Sequence, residues 1–369
     1  MSGARIVHVL GWRSQQYGSF ERWIVALAQR CAERGAETHL VFHDEPASAR
    51  FLADVPAHIH VVPEARQVGD PRHVLAIGRA LRRIAPTHVH AHFGYDSYNA
   101  LGVARALGID RRFTTKHITP SSQWWELPGA RHRWLARQVE VFWAVSHWVA
   151  ERMRELGVPE EKIEVCHLGV DPATYRPDPA LRARTRAELG IGEGTRLVLC
   201  ASHLRPGKGT ELLPRLAAEL ARDPGEVALL AAGGGPLADR LRAEARELGL
   251  GEERFRLLGV REDMPALLAA ADLFVFPTAA VEGMGLGVLE ALAAGAPTVA
   301  TDVSDVGLLP ADTARVVPRA DGEALLAACR AMLADPADAT ARAERGRELV
   351  AERFSVAHAV DVHVRRYLG

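Results

Sequence analysis

The chain has 369 residues, enough for two domains that each bury a core of their own. A hydrophobic fraction of 48% and a charged fraction of 25% exclude long disorder. The 45 Lys and Arg against 46 Asp and Glu leave a net charge of −1, which excludes a global positive field for gripping nucleic acid.

Residues 5–10, RIVHVL, open the chain as a buried strand, an apolar run too short for a secretion signal. Helix periodicity follows from Phe20 to Arg34 and stops at Gly35. Strand patterns recur at 38–42, 59–62, 88–93, 113–118, 141–145 and 162–166, separated by helical stretches near 72–84, 97–107 and 147–156. The segment 169–179, GVDPATYRPDP, is rich in Pro and Asp and reads as a linker. The alternation then resumes with strands at 196–201, 227–232, 255–259, 273–277 and 297–301, and helices from Thr210, from Leu237 and near Leu286. Two further helices, 337–352 and 356–367, close the chain. This spacing makes parallel crossover units, so the expected class is α/β with two Rossmann-like open parallel sheets. The expected domains are residues 1–175 and 176–352, with a C-terminal helix at 353–369 packing back on the first. Such sheets bind ligands beyond the carboxyl ends of their strands, and two facing domains make a cleft.

No 18-residue apolar stretch exists, since the longest candidate, 267–281, contains Asp272. Cys31, Cys166, Cys200 and Cys329 lack CxxC spacing and read as core residues of a reduced compartment. The expected location is the cytoplasm, with peripheral contact at the inner membrane surface as an open use.

The loop EGMGLGVLE, residues 282–290, carries the most chemistry. It joins a strand ending at Pro277 to a helix near Leu286, and Gly283, Gly285 and Gly287 expose amide donors where phosphate or sugar oxygens can approach. In isolation Glu282 reads as a helix cap and Glu290 as a solvated residue. The alternating glycines at a strand-to-helix junction favour a binding loop instead. Lys208, in HLRPGKG after another strand, is one of three lysines, with Lys116 and Lys162. It is a point charge suited to a diphosphate, and as a loop charge its removal is expected to leave the fold intact. Gly233, Gly234 and Gly235 before Pro236 make a turn ahead of a helix or mere punctuation.

These motifs resemble the retaining, nucleotide-sugar-dependent glycosyltransferases of family 4, in the glycogen-synthase-like superfamily with the GT-B fold. The family signature of two glutamates separated by seven residues is matched by Glu282 and Glu290, with Met284 at the aromatic position. VCHLGVDPATYRP, ASHLRPGKGTELL, AAGGGPLADRL and FRLLGVREDMPALLAAADLFVFPT match in family order. The resemblance implies that Glu282 meets the donor sugar, Glu290 the ribose and Lys208 the diphosphate. It further implies a donor pocket shaped by Gly233, by Gly283, Met284, Gly285, Leu286 and Gly287, and by the region of Arg261, whose backbone contacts the base. The family's arginine five residues before the lysine is His203 here, so Arg205 is the expected second cation. Gly18 and Glu21, in GSFE, match the family's glycine and glutamate loosely, and His117, after FTTKHI, stands at the position of a histidine near the reacting sugar. His117, Lys208 and Glu282 are thus the expected catalytic set.

His90 and His92 share a strand face, but no compact set of partners is evident, so no metal and no separate cofactor is expected. All seven tryptophans precede residue 149, and residues 121–134, SSQWWELPGARHRW, combine aromatics with arginines. That stretch suits sugar stacking, an anionic acceptor or an interface, with a membrane contact through 124–137 as the competing use. The expected function is retaining transfer from a UDP- or GDP-linked sugar to a carbohydrate, lipid-linked or small-molecule acceptor in glycan, glycolipid or metabolite biosynthesis. The alternatives are a nucleotide-sugar epimerase or hydrolase on the same fold, or a non-catalytic nucleotide-sugar-binding protein.

Overall fold

The computed structural model describes residues 3–14, 17–117, 128–280 and 282–369. Among them, thirteen strands form two sheets, one in each of two compact units. The first unit comprises Met1–Leu168 and Val356–Gly369, the second Gly169–Ser355.

In the first unit the strands are β1 (Arg5–Val9), β2 (Glu37–Phe42), β3 (His58–Val61), β4 (His88–Ala91), β5 (Arg111–Lys116), β6 (Val141–Ala144) and β7 (Ile163–Val165). They pair in parallel in the order β3-β2-β1-β4-β5-β6-β7. β4 and β6 are buried throughout and β1 nearly so, as expected where helices cover a parallel sheet on each side, and β6, VFWA, is wholly apolar. Helix Val356–Leu368 belongs to this unit and packs on helix Ser19–Glu33, where Arg30 Nε reaches Asp361 Oδ1 at 2.8 Å.

In the second unit the strands are β8 (Thr195–Ala201), β9 (Glu226–Ala232), β10 (Phe255–Gly259), β11 (Leu273–Phe276), β12 (Thr298–Thr301) and β13 (Arg315–Val317). They are parallel in the order β10-β9-β8-β11-β12-β13. The order reverses between β1 and β4 in one sheet and between β8 and β11 in the other. At such a switch point the loops leaving the two strands diverge and open a crevice at the carboxyl edge.

Some elements had weak sequence signals. Helix Pro179–Leu189 begins inside the stretch read as linker, started by Asp178, whose carboxylate accepts from Leu181 N at 2.8 Å, and by Pro179 in the first turn. The helix expected from Thr210 opens instead as a 3₁₀ turn, Thr210–Leu212, and becomes α-helical at Leu213. β13 is a three-residue edge strand, too short for a period to register.

Candidate functional site

In the second unit, Lys208 lies on the loop after β8 and Glu282 on the loop after β11, the two strands of the switch point. The backbone forces the loops together. Gly207 O accepts from Ala279 N at 3.0 Å and from Ala280 N at 2.6 Å. Gly209, at φ +68°, lies so close to Pro277 that a Cβ there would overlap the Pro277 carbonyl. This clamp delivers Lys208 Nζ to Glu282 Oε1, with which it forms an ion pair. The side chains are 11% and 16% exposed, so Lys208 is a largely buried charge with a dedicated partner, and the expectation that its loss leaves the fold untouched is revised.

The remaining residues expected in this half lie on, or just after, the loops that follow β8, β9, β10 and β11. Gly233 N donates to Gly259 O at 2.7 Å, and side chains at Gly233 or Gly235 would overlap the carbonyls of Ser202 and Leu204. The triple-glycine turn therefore packs directly on the loop that carries His203, Arg205 and Lys208. His203 and Arg205 are exposed. Partial desolvation of its ring, then the Lys208 and Arg205 charges, push the His203 pKa below its ordinary value against the opposing pull of Glu282. That leaves Arg205 as the permanent second cation of the loop. Arg261, expected to contact the base through its backbone, has its guanidinium on Asp263 through Nε at 2.7 Å and Nη2 at 2.5 Å.

Helix Leu286–Ala293 starts at Gly285, φ +73°, without a side-chain cap, so its first amides are available for an oxygen-rich ligand. A Cβ at Gly285 would come within 2.7 Å of Val306 Cγ2, and Ser304 Oγ donates to Gly283 O at 2.7 Å, fixing the loop. Met284 is buried, Leu286 and Gly287 are half-buried, and Glu290 is buried within the helix. The Tyr175 hydroxyl donates to Glu290 Oε1 at 2.8 Å. Tyr175 was not singled out among the site residues of the sequence. It lies in the stretch grouped there with the first domain, and its position in TYRP is the signal that could have marked it.

The first unit holds the other expected residues. Gly18 caps helix Ser19–Glu33 and donates its N–H to Glu21 Oε2 at 3.2 Å. Glu21 Oε1 accepts from Ser14 Oγ at 2.9 Å and from Trp12 Nε1 at 3.1 Å, so this buried carboxylate locks the loop after β1. His117 follows β5 and is buried, its ring 4.4 Å from that of Phe93 and 5.0 Å from that of Phe20. Burial, aided by the charges of His363 and Lys116, holds its pKa down to about 3. The aromatic segment at 118–127 lies outside the described residues. Beyond it, Trp134 of helix Pro128–Ala136 is 40% exposed.

A compact histidine group does exist, against the sequence expectation. Register pairs His8 of β1 with His90 of β4, and nitrogens of His8, His90 and His92 lie within 4.8 Å of one another. The adjacency of β1 and β4, whose paired residues are 82 positions apart, is what the sequence could not show. His90 Nδ1 is 2.5 Å from the Tyr367 hydroxyl and Nε2 is 2.8 Å from Thr115 Oγ1, so both of its nitrogens already have partners.

Two parallel-sheet α/β units, each with a switch point in its strand order, match the GT-B fold. The match extends over the whole chain in solved structures: Anabaena HepE in complex with UDP-glucose superposes with a TM-score of 0.80 at 21% identity, covering 99% of both chains. A glycosyltransferase from Rickettsia africae superposes at a TM-score of 0.82 and 16% identity, over 100% of this chain and 98% of that one. The family model described as Glycosyltransferase Family 4 matches residues 20–174, and that of Glycosyl transferases group 1 matches residues 195–335. The chain belongs to glycosyltransferase family 4. A Mycolicibacterium smegmatis relative, a GDP-mannose-dependent alpha-(1-6)-phosphatidylinositol monomannoside mannosyltransferase, is 35% identical over 255 residues, 65% of this chain and 66% of the relative. The match spans 53% of the counterpart from Mycobacterium tuberculosis. Among the described residues no helix is long and apolar enough to cross a membrane.

Proposed function

We propose that the protein transfers a glycosyl group from a nucleotide-diphosphate sugar to an acceptor hydroxyl with retention of anomeric configuration, and that GDP-mannose is the first donor to test. The observation that carries this reading is the Lys208–Glu282 pair, clamped at the β8/β11 switch point beside an uncapped helix N-terminus. Lys208, Arg205 and the amides of Gly283 to Gly287 suit a diphosphate that gains negative charge as the sugar departs. Glu282 suits sugar hydroxyls and Glu290 the ribose, because a carboxylate accepts two hydroxyl hydrogen bonds. Attack on the face the diphosphate leaves, with that diphosphate taking the acceptor proton, is the mechanism the family resemblance implies. The relatives' names favour a sugar- or cyclitol-bearing acceptor, lipid-linked in the phosphatidylinositol case, and a peripheral position at a membrane surface fits such an acceptor.

The test is nucleotide release from GDP-mannose, UDP-glucose and related donors, with and without phosphatidylinositol mannoside or inositol phosphate, followed by NMR of the product's anomeric centre. Acceptor-dependent release with retained configuration supports the proposal. Water-dependent release alone would favour a hydrolase, and donor binding without turnover a binding protein.

A further inference from the structure

Beneath His117 runs a chain of imidazoles. His117 Nε2 is 3.0 Å from His92 Nδ1, and His92 Nε2 is 3.1 Å from His8 Nδ1. The three rings are buried, and the two terminal nitrogens, His117 Nδ1 and His8 Nε2, have no hydrogen-bond partner. Burial depresses the pKa of each, to about 3 for His117 and His8 and well below the ordinary value for His92, so all three are neutral near pH 7. A neutral imidazole has one N–H and one bare nitrogen. The two links can therefore be satisfied only if all three N–H groups point the same way along the chain.

Two states meet that condition. In one, every proton is on Nδ1: His8 donates to His92, His92 donates to His117, and His117 Nδ1–H is left to donate. In the other, every proton is on Nε2, and the leftover N–H belongs to His8 in the middle of the sheet. Both end nitrogens are buried, but the first state leaves its spare donor on His117, 8% exposed and just past the end of β5, where a ligand oxygen entering the site would meet it, whereas His8 is fully buried within β1. The second strands a buried N–H in the core, a rare and costly arrangement.

We infer that His92 and His8 are positioning residues that fix His117 in its Nδ1–H form and so make it a neutral hydrogen-bond donor to a sugar or acceptor oxygen. This rests on the proposed glycosyl transfer for the identity of the oxygen, but not for the tautomer. The relay also distinguishes His117 from a titrating acid or base. It contributes a dipole of set direction, and its orientation is decided 2 rings away.

The experiment is long-range ¹H–¹⁵N correlation NMR on the full chain labelled with ¹⁵N-histidine, which reports which ring nitrogen bears the proton. In the unmodified protein at pH 7, His117, His92 and His8 should all give the Nδ1–H pattern; an Nε2–H pattern at His117 would overturn the inference whether or not any variant folds. His92→Phe keeps a ring but removes both links, and should release His117 to a mixed or Nε2–H state. His92→Asn, whose amide N–H can stand in for Nδ1–H, should restore the Nδ1–H form at His117. An unchanged His117 pattern in a folded His92→Phe variant would also defeat the inference. If transfer proceeds, His92→Phe should lower turnover by about tenfold while leaving binding of free GDP unchanged. Failure of the unmodified protein to use any donor would remove the proposed activity and leave the tautomer result intact.

Discussion

Lys208→Met tests the ion pair at the centre of the proposed donor site. The substitution keeps the unbranched apolar stem and deletes the charged end, so Glu282 is left largely buried without its partner. Unit charges roughly 3 Å apart at an effective dielectric constant of about 20 attract by about 5–6 kcal/mol, before the desolvation of both groups is subtracted. Exposed pairs retain about 0–1 kcal/mol of such attraction, and breaking a buried pair costs about 3–5 kcal/mol. With the two side chains 11% and 16% exposed, the pair falls between these limits, and a coupling of about 2 kcal/mol is expected. Lys208→Met and Glu282→Gln should each destabilise the second unit by about 2–3 kcal/mol, and the double variant by little more than either alone. Hydrogen exchange of the β8 and β11 amides measures this in the second unit separately from the first. If saturating GDP shifts Lys208 onto phosphate, the measured coupling should shrink when nucleotide is bound. Additive effects within about 0.5 kcal/mol would refute the reasoning, because the two charges would then not depend on one another.

The two glutamates separate by ligand: Glu290→Gln should weaken free GDP and intact donor together, whereas Glu282→Gln should spare free GDP and impair the donor. Each loss should be about 10- to 150-fold, the equivalent of about 1.5–3 kcal/mol for a charge-assisted hydrogen bond, and calorimetry with both ligands checks the division. Gly209→Ala should disrupt the loop clamp, since φ +68° disfavours a side chain and the Pro277 carbonyl occupies its space; a loss above about 1 kcal/mol with loss of donor binding is expected, measured by thermal unfolding and calorimetry. Acid should weaken the first unit selectively. His8, His90, His92, His117 and His363 have folded pKa values below the unfolded value of about 6.5, so their stabilising neutrality is fully present above pH 6.5 and is lost as pH falls towards about 4, the value for His363, and on to about 3 for His8 and His117. Each contributes a slope of up to about 1.4 kcal/mol per pH unit, and unfolding should take up protons in this range. The second unit contains His203 as its sole histidine, so its melting should change less between pH 7.5 and 4.5 when both transitions are followed by calorimetry.

The donor-side loops were legible because their chemistry is local. Glu282, the alternating glycines and Glu290 fall within nine residues, and the glycines are needed where the backbone bends or a loop approaches: Gly285 at positive φ, Gly209 against Pro277. The α/β alternation was equally plain, because strands buried on both faces, such as β6 and β11, read as uninterrupted apolar runs. What stayed hidden was whatever depends on strand order. Nothing in the sequence shows that the loop of Lys208 and the loop of Glu282, 74 residues apart, leave neighbouring strands and meet as an ion pair.

The histidine chain shows the same limit from the opposite direction. His90 and His92 were visible as a pair on one strand, and in isolation that pattern suggests a metal or nothing. Only the parallel register that sets His8 opposite His90, and the adjacency of β4 to β5 that brings His117 to His92, turns four scattered imidazoles into one group. Its character follows from burial rather than from residue type. The same side chains in water would carry fractional charge at neutral pH and share no proton order. Enclosed between helices, they are neutral, and each proton's position constrains the next. A residue in such a chain cannot be assigned a role by its own surroundings alone, since replacing His92 changes which atom of His117 is offered to a ligand without altering His117 itself.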